Sequence, residues 1–268
     1  MSAATEETTV PEPGRPATER SRGDAAAAGV PLWEHPDWAA RFPWLIQGVT
    51  GARAGPETFD LALFGDGRPR DVMERWWALG RATGAVRLVH GHQVHGAVVR
   101  VHGDGPPGLH VSPATDGHVT RAPGVLLAVS VADCVPISLV APEARVVALL
   151  HGGWRGVAAG ILERGLELLA GRLDVKADAL HVHLGPAICG ACYEVGPEVH
   201  RGLGLAEPPG ARPIDLRAVV AERARRAGVA AERITSSTWC TRCGDGPFFS
   251  HRGGCAERQV AVLGIAHG

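Results

Sequence analysis

The 268-residue chain carries 45% hydrophobic and 21% charged residues, ordinary globular values that exclude a wholly disordered or fibrous protein. A formal net charge of −1, with basic residues scattered along the chain and only Lys176 among them a lysine, offers no electrostatic grip on nucleic acid or an anionic membrane. No apolar run approaches the roughly 18 residues of a membrane span, and the first thirty residues lack the apolar core of a secretory signal. A cytoplasmic location is therefore expected, where the six cysteines are reduced and available as ligands, nucleophiles or core thiols.

From Met1 to Gly29 the chain is mainly Ala, Glu, Thr, Pro, Gly and Arg, which predicts a disordered tail because so little apolar surface can offset the ordering entropy. Order is expected from about Trp33, with residues 30–268 forming one catalytic domain. Val86–His90 and Ala97–Val101 read as strands flanking a His-Gly-His-Gln-Val-His-Gly stretch. Gly124–Val131 and Val135–Val140 read as buried strands interrupted by Ala132-Asp133-Cys134, and Arg145–Leu150 as a third apolar run ending in His151-Gly-Gly-Trp-Arg-Gly156. Ala158, Ile161, Leu162, Leu166 and Leu169 then recur at helical spacing, predicting one helix over 156–173 despite Gly165. Leu180–Leu184 follows as a strand, Asp215 to Gly228 as a helix with Asp215 as its N-cap, and Val260–Ile265 as a closing strand. The sum is an α/β or α+β single domain with a mixed β-sheet core flanked by helices.

Three polar elements stand at the ends of apolar runs, where a rigid scaffold holds reactive groups: Gln93-Val-His95, Ala132-Asp-Cys134 and His151-Gly-Gly-Trp-Arg155. Two imidazoles and a thiolate suit zinc, and three protein ligands leave a position open, as catalytic zinc sites do. The bland alternative is that each histidine is a hydrogen-bonded structural residue. Gly152 and Gly153 ahead of a helix would expose backbone N–H groups to an anion such as phosphate, with Arg155 completing the cradle, or they would merely let a strand turn into a helix. Asp133 is either a general base or ligand orienter, or a turn aspartate that caps backbone. His90 and His92 lie close enough to His95 to compete as ligands. Cys189-x-x-Cys192 and Cys240-x-x-Cys243, separated by 47 residues, read either as a structural zinc site or as four reduced thiols.

Gln93-Val-His95, Thr115-Asp116, Ala132-Asp-Cys-Val-Pro136, His151-Gly-Gly-Trp-Arg-Gly156, Gly185-Pro-Ala-Ile188, Cys192-Tyr-Glu-Val-Gly196 and Phe249-Ser-His-Arg252 occur in the order of one known family. From about residue 45 to its C-terminus the chain resembles the YfiH-like laccase-domain proteins, also called multicopper polyphenol oxidases. The resemblance implies a zinc site on His95, Cys134 and His151, phosphorolysis of purine nucleosides such as adenosine and inosine, and adenosine deamination in some members. The family's Asn-Arg pair in the first helix corresponds to Glu74-Arg75, so Arg75 is a candidate phosphate contact while the Asn is absent. The stretch Arg252-Gly-Gly-Cys-Ala-Glu-Arg258 keeps only the final Arg of the family's Thr-Gly-Arg pattern.

Four functions then compete. A zinc-dependent purine nucleoside phosphorylase would use Cys134, His151, Asp133 and Arg155 in catalysis, with Arg75, Gly152, Gly153 and Arg155 holding substrate and phosphate. A copper polyphenol oxidase is disfavoured, since His-x-His occurs only at His90/His92 and His181/His183, and Met1 and Met73 are the only methionines for an axial ligand. A Cys-His amide hydrolase acting on a cell-wall precursor would need Cys134 as a free nucleophile. A scaffold with a structural metal would need no open coordination position. Nucleic-acid and membrane partners are not expected, and neither the preferred nucleoside nor the oligomeric state is legible.

Overall fold

Apolar residues alternate faces along each central strand, and that alternation builds the molecule. In the computed structural model, which describes residues 12–267, Leu127, Val129 and Val131 of the strand Val125–Val131 point into one buried cluster while Leu126 and Ala128 point into another. The strand Val146–Gly152 behaves alike: Val147 and Leu149 join the first of these clusters, and Val146, Ala148 and Leu150 join a third. Both faces of each strand are covered, which is why these runs read as continuously apolar.

Two seven-stranded mixed sheets result. One runs, in spatial order, Arg15–Ala17, Ile234–Ser237, His181–Leu184, Val135–Ala141, Val146–Gly152, Gly117–Thr120 and Val99–His102. The other runs Arg20–Ser21, Leu32–Glu34, Leu45–Thr50, Gln259–Ile265, Val125–Val131, Arg87–Gly91 and Gly108–Ser112. Val140, Val147 and Leu149 of the first meet Val49, Leu127, Val129 and Leu263 of the second, so the sheets pack face to face. The helices Ile161–Leu173 and Leu216–Arg226 cover the outside of the first sheet, and Pro69–Thr83 covers the second through Trp76 and Leu79. The α/β single domain with a mixed β core is thus present, with two sheets where the apolar pattern suggested one core sheet. No helix among the described residues is long and apolar enough to cross a membrane.

Two local readings are corrected. The helix expected over 156–173 is two helices, Trp154–Ala158 and Ile161–Leu173, because Gly160 takes a left-handed conformation (φ 82°) that ends one and starts the next. The disordered tail expected over 1–29 does not hold for residues 12–29; residues 1–11 lie outside the described residues. Arg15–Ala17 adds a parallel strand beside Ile234–Ser237, and the Glu19 carboxylate is buried, accepting from His183 Nε2 at 2.8 Å and Ser237 Oγ at 2.7 Å. Backbone pairing and one buried acid hold the segment together with the small buried side chains of Ala17 and Ala25, and hydropathy alone does not register the pairing or the acid. Asp215 caps its helix as expected, its Oδ1 accepting from Arg217 N at 2.9 Å.

Candidate metal centre

Strand register brings the three candidate ligands together. Cys134 immediately precedes the strand Val135–Ala141, whose Pro136 stands opposite His151 in the antiparallel pair, so both side chains emerge at one end of the sheet. On the other flank Gly117 pairs with Leu150, which sets Asp116 beside His151; His151 N donates to Asp116 O at 2.7 Å. The ligand atoms of His95, Cys134 and His151 all lie within 4.8 Å of one another.

Asp116 is the organiser of this arrangement. Its carboxylate, 0% exposed, accepts from the backbone N–H of Val94 (3.1 Å), His95 (2.9 Å) and Gly96 (3.0 Å) and from His151 Nδ1 (2.9 Å). Those bonds fold the His95 loop over the sheet and hold His95 at a positive φ of 57°, a conformation a non-glycine residue keeps only when its surroundings enforce it. They also protonate His151 at Nδ1, leaving Nε2 as the donor toward a metal, the usual carboxylate–histidine support of a metal ligand. Gln93 pins the same loop from the other side, its amide pairing with both Ser130 N (2.7 Å) and Ser130 O (2.9 Å).

The charges of the centre follow from the pairing of its groups, which overcomes the effect of burial. Burial alone would raise the Cys134 thiol, but the His151 charge and hydrogen bonds from His151 and His95 bring it down to about 6. Burial would likewise depress His151, yet the Cys134 thiolate and the Asp116 hydrogen bond raise it to about 9. The pair is therefore a thiolate beside an imidazolium, and a divalent cation would take the place of the imidazolium proton on Nε2. Two imidazoles and one thiolate, two of them at strand ends and His95 on a loop held by Asp116, match zinc in chemistry and number. Gly153 is glycine for this reason: a Cβ there would stand 2.8 Å from His95 Cδ2 and 3.2 Å from Cys134 Sγ.

The centre lines a cleft of about 320 Å³ together with His92, Gln93, His251 and Arg258. Phe64, 63% exposed, sits at this cleft with its ring 4.7 Å from that of His92. His90, a candidate rival ligand, lines the cleft but belongs to neither metal-competent group; burial, and then the His151 charge, lowers it to about 4, and its Nε2 lies 2.8 Å from Ser130 Oγ. His92 is likewise outside the ligand group.

Other expected residues are placed elsewhere. Arg155 is exposed, its guanidinium 4.5 Å over the Trp154 ring, and does not line the cleft; its charge, with that of Arg252, acts instead on half-buried Tyr193, whose hydroxyl partial burial and then the Cys134 charge push up to about 12. Gly152 is the last residue of its strand, where a Cβ would stand 2.8 Å from Val135 O. At both glycines a side chain would collide with neighbouring atoms. Arg75 donates to Asp60 O at 3.2 Å and lines a separate cleft with Glu57, Arg68 and Asp71. Asp133, at φ 88°, accepts from Thr241 Oγ1 (2.6 Å), Ser250 Oγ (2.7 Å) and Arg252 N (2.6 Å), so its carboxylate ties loops together. Asp116, Phe64 and Arg258 were not assigned roles from sequence. Thr115-Asp116 directly before a strand was the available signal for the first, and an exposed aromatic beside Gly65 and Gly67 for the second.

Residues 47–266 match the family model described as multi-copper polyphenol oxidoreductase laccase. The chain is 35% identical over 253 residues, covering 89% of it and 94% of the relative, to a purine nucleoside phosphorylase of Deinococcus radiodurans. It is 38% identical over 148 residues to adenosine deaminase RL5 of an unknown prokaryotic organism, covering 51% of this chain and 56% of that protein. The crystal structure of YlmD from Geobacillus stearothermophilus superposes with a TM-score of 0.83 at 30% identity, covering 94% of this chain and 99% of that one.

Proposed function

We propose that this chain, which belongs to the multi-copper polyphenol oxidoreductase laccase family, is a zinc-dependent purine nucleoside phosphorylase. The observation that carries the reading is the convergence of His95, Cys134 and His151 at the wall of a nucleoside-sized cleft, in a chain closely related along its length to a protein named for that activity. A zinc ion held by those donors would supply Lewis-acid polarisation and positive charge, with a fourth coordination position free for solvent or substrate. Asp116 holds His151 in the ligating tautomer. Phe64 and His92 offer a face on which a purine ring stacks, and uncharged His90 keeps that wall neutral.

Arg258 is the arginine that lines the cleft, one guanidinium nitrogen held by the carbonyls of Cys255, Ala256 and Glu257, and is the first choice for phosphate; Arg155, whose charge acts on Tyr193, is the second. In the reaction a phosphate oxygen bonds to the anomeric carbon of the ribose while the carbon–nitrogen bond to the purine breaks, giving ribose 1-phosphate and the free base. The same site would release ammonia from adenosine with water as the attacking group, the activity for which RL5 is named. Inosine incubated with the protein should yield hypoxanthine only when phosphate is present, and Cys134→Ala should abolish the yield together with the metal. Cleavage at full rate in phosphate-free buffer would replace the phosphorylase reading with a nucleoside hydrolase.

One arrangement favours a second reading. Cys134, His151 and Asp116 form the nucleophile–base–orienter chain of a cysteine hydrolase. The discriminating measurement is activity after chelation: a phosphorylase of this design loses turnover with its metal, whereas a cysteine hydrolase gains a free thiolate.

A further inference from the structure

The two Cys-x-x-Cys motifs, 47 residues apart in sequence, are neighbours in space. The reason is topological. Strands His181–Leu184 and Ile234–Ser237 lie side by side and parallel, so the loops leaving their C-terminal ends emerge together. A bridge between Ala187 and Cys240, with Thr241 N donating to Ala187 O at 3.1 Å, locks the two loops in register. Cys189 precedes and Cys192 ends the single turn Gly190–Cys192, while Cys240 and Cys243 sit on the facing loop.

All four sulfurs lie within 4.8 Å of one another, and Cys189 Sγ is 3.8 Å from Cys243 Sγ. A tetrahedron of thiolates around zinc, with Zn–S bonds of about 2.3 Å, has sulfur–sulfur edges of about 3.8 Å. All four cysteines are free thiols. Cys240, the buried member, accepts from three backbone N–H groups, those of Cys189 (3.2 Å), Arg242 (3.4 Å) and Cys243 (3.4 Å). Donors aimed at sulfur from the metal-bearing loops stabilise thiolate rather than thiol. Four soft donors with no carboxylate or imidazole among them select zinc or iron over hard cations.

We propose that Cys189, Cys192, Cys240 and Cys243 form a second, structural metal site that takes one zinc ion, separate from the His95–Cys134–His151 centre. Its consequence reaches that centre through Asp133, because both cysteine loops are bonded to it: Thr241 Oγ1 donates to its carboxylate at 2.6 Å, and Ile188 N to its carbonyl at 3.1 Å. The zinc staples the two loops against the residue that precedes Cys134.

Metal analysis of the full-length protein, purified without chelator, should find two zinc ions per chain. Cys243→Ser, which alters an exposed thiol and leaves the buried Cys240 in place, should find one, and Cys134→Ser should also find one. Cobalt added to chelator-stripped protein should give the intense visible bands of a four-thiolate tetrahedral site in wild type and in Cys134→Ser, but not in Cys243→Ser. Thiol titration of denatured, unreduced protein should count all six cysteines. A zinc content that Cys243→Ser does not lower, iron in place of zinc, or a thiol count lowered by disulfides would each overturn the assignment. If Cys243→Ser fails to fold, the cobalt spectrum of Cys134→Ser alone decides it.

Discussion

Replacing Asp116 by Asn tests the claim that one buried carboxylate assembles the metal centre. Asparagine is isosteric, so shape is kept while one acceptor oxygen becomes an NH2 donor. If its remaining oxygen faces His95 N and His151 Nδ1, the amide nitrogen meets the N–H groups of Val94 and Gly96; if it is flipped, the amide meets His151 Nδ1 and pushes the ring proton to Nε2, the ligating atom. The flipped orientation loses the bond of His95 N and puts the ring proton on the ligating nitrogen, whereas the first loses two buried hydrogen bonds, about 2–6 kcal/mol at ~1–3 kcal/mol for each donor left unmade. For a chain of this size that is a fall in Tm of roughly 5–15 °C. Loss of a metal-ligand support of this kind weakens metal affinity about 10–100-fold. The zinc concentration that restores half-maximal inosine phosphorolysis to stripped protein reads the affinity, and a thermal melt reads the stability. A variant with wild-type zinc dependence and an unchanged melt would refute the role given to Asp116.

Zinc affinity at the first centre should rise about tenfold per pH unit between about 6 and 9, since binding must displace the single extra proton on His151, and should fall more steeply below about 6, where Cys134 also protonates; competition titration against a chelator measures this, and a flat profile contradicts the ion pair. For folding of the metal-free protein the signs oppose. The raised His151 contributes stability that is lost as pH climbs to about 9, while the depressed Cys134 contributes stability that is lost as pH falls to about 6, so the slopes cancel and this pair should leave Tm nearly constant across that window. Arg258→Ala should weaken phosphorolysis of inosine by about 1.5–3 kcal/mol, the value of a lost charged hydrogen bond, and spare adenosine deamination; if Arg155→Ala shows that split instead, phosphate enters from the Tyr193 side. Deleting residues 2–28 should lower Tm by about 5 °C or more, because His183 and Ser237 lose the buried Glu19 acceptor and the strand Ile234–Ser237 loses its neighbour; an unchanged melt would show that the segment is not docked.

Much of the local architecture was legible from residue order. The apolar runs 124–131, 135–140 and 145–150 correspond closely to the strands Val125–Val131, Val135–Ala141 and Val146–Gly152, and Asp215 caps the helix it was expected to cap. Strand and cap signals are carried by neighbours a few residues apart, so a single chain displays them. The ligand types were legible for a similar reason: His95, Cys134 and His151 each end a run that stiffens them, and the motifs around them resemble one family.

What the tertiary structure decided depends on pairing between distant segments. Asp116 reaches His151, 35 residues away, only because Gly117 pairs with Leu150. Glu19 is buried against a strand end more than 160 residues later, so its composition reads as tail and its position as core. The two cysteine pairs meet because two strands run parallel, and Arg155 and Arg75 do not line the cleft that Arg258 borders. Hydrophobic periodicity says which face of a strand is buried, but not which strand lies beside it; register across the sheet fixes which polar ends converge, and the site is made of those ends.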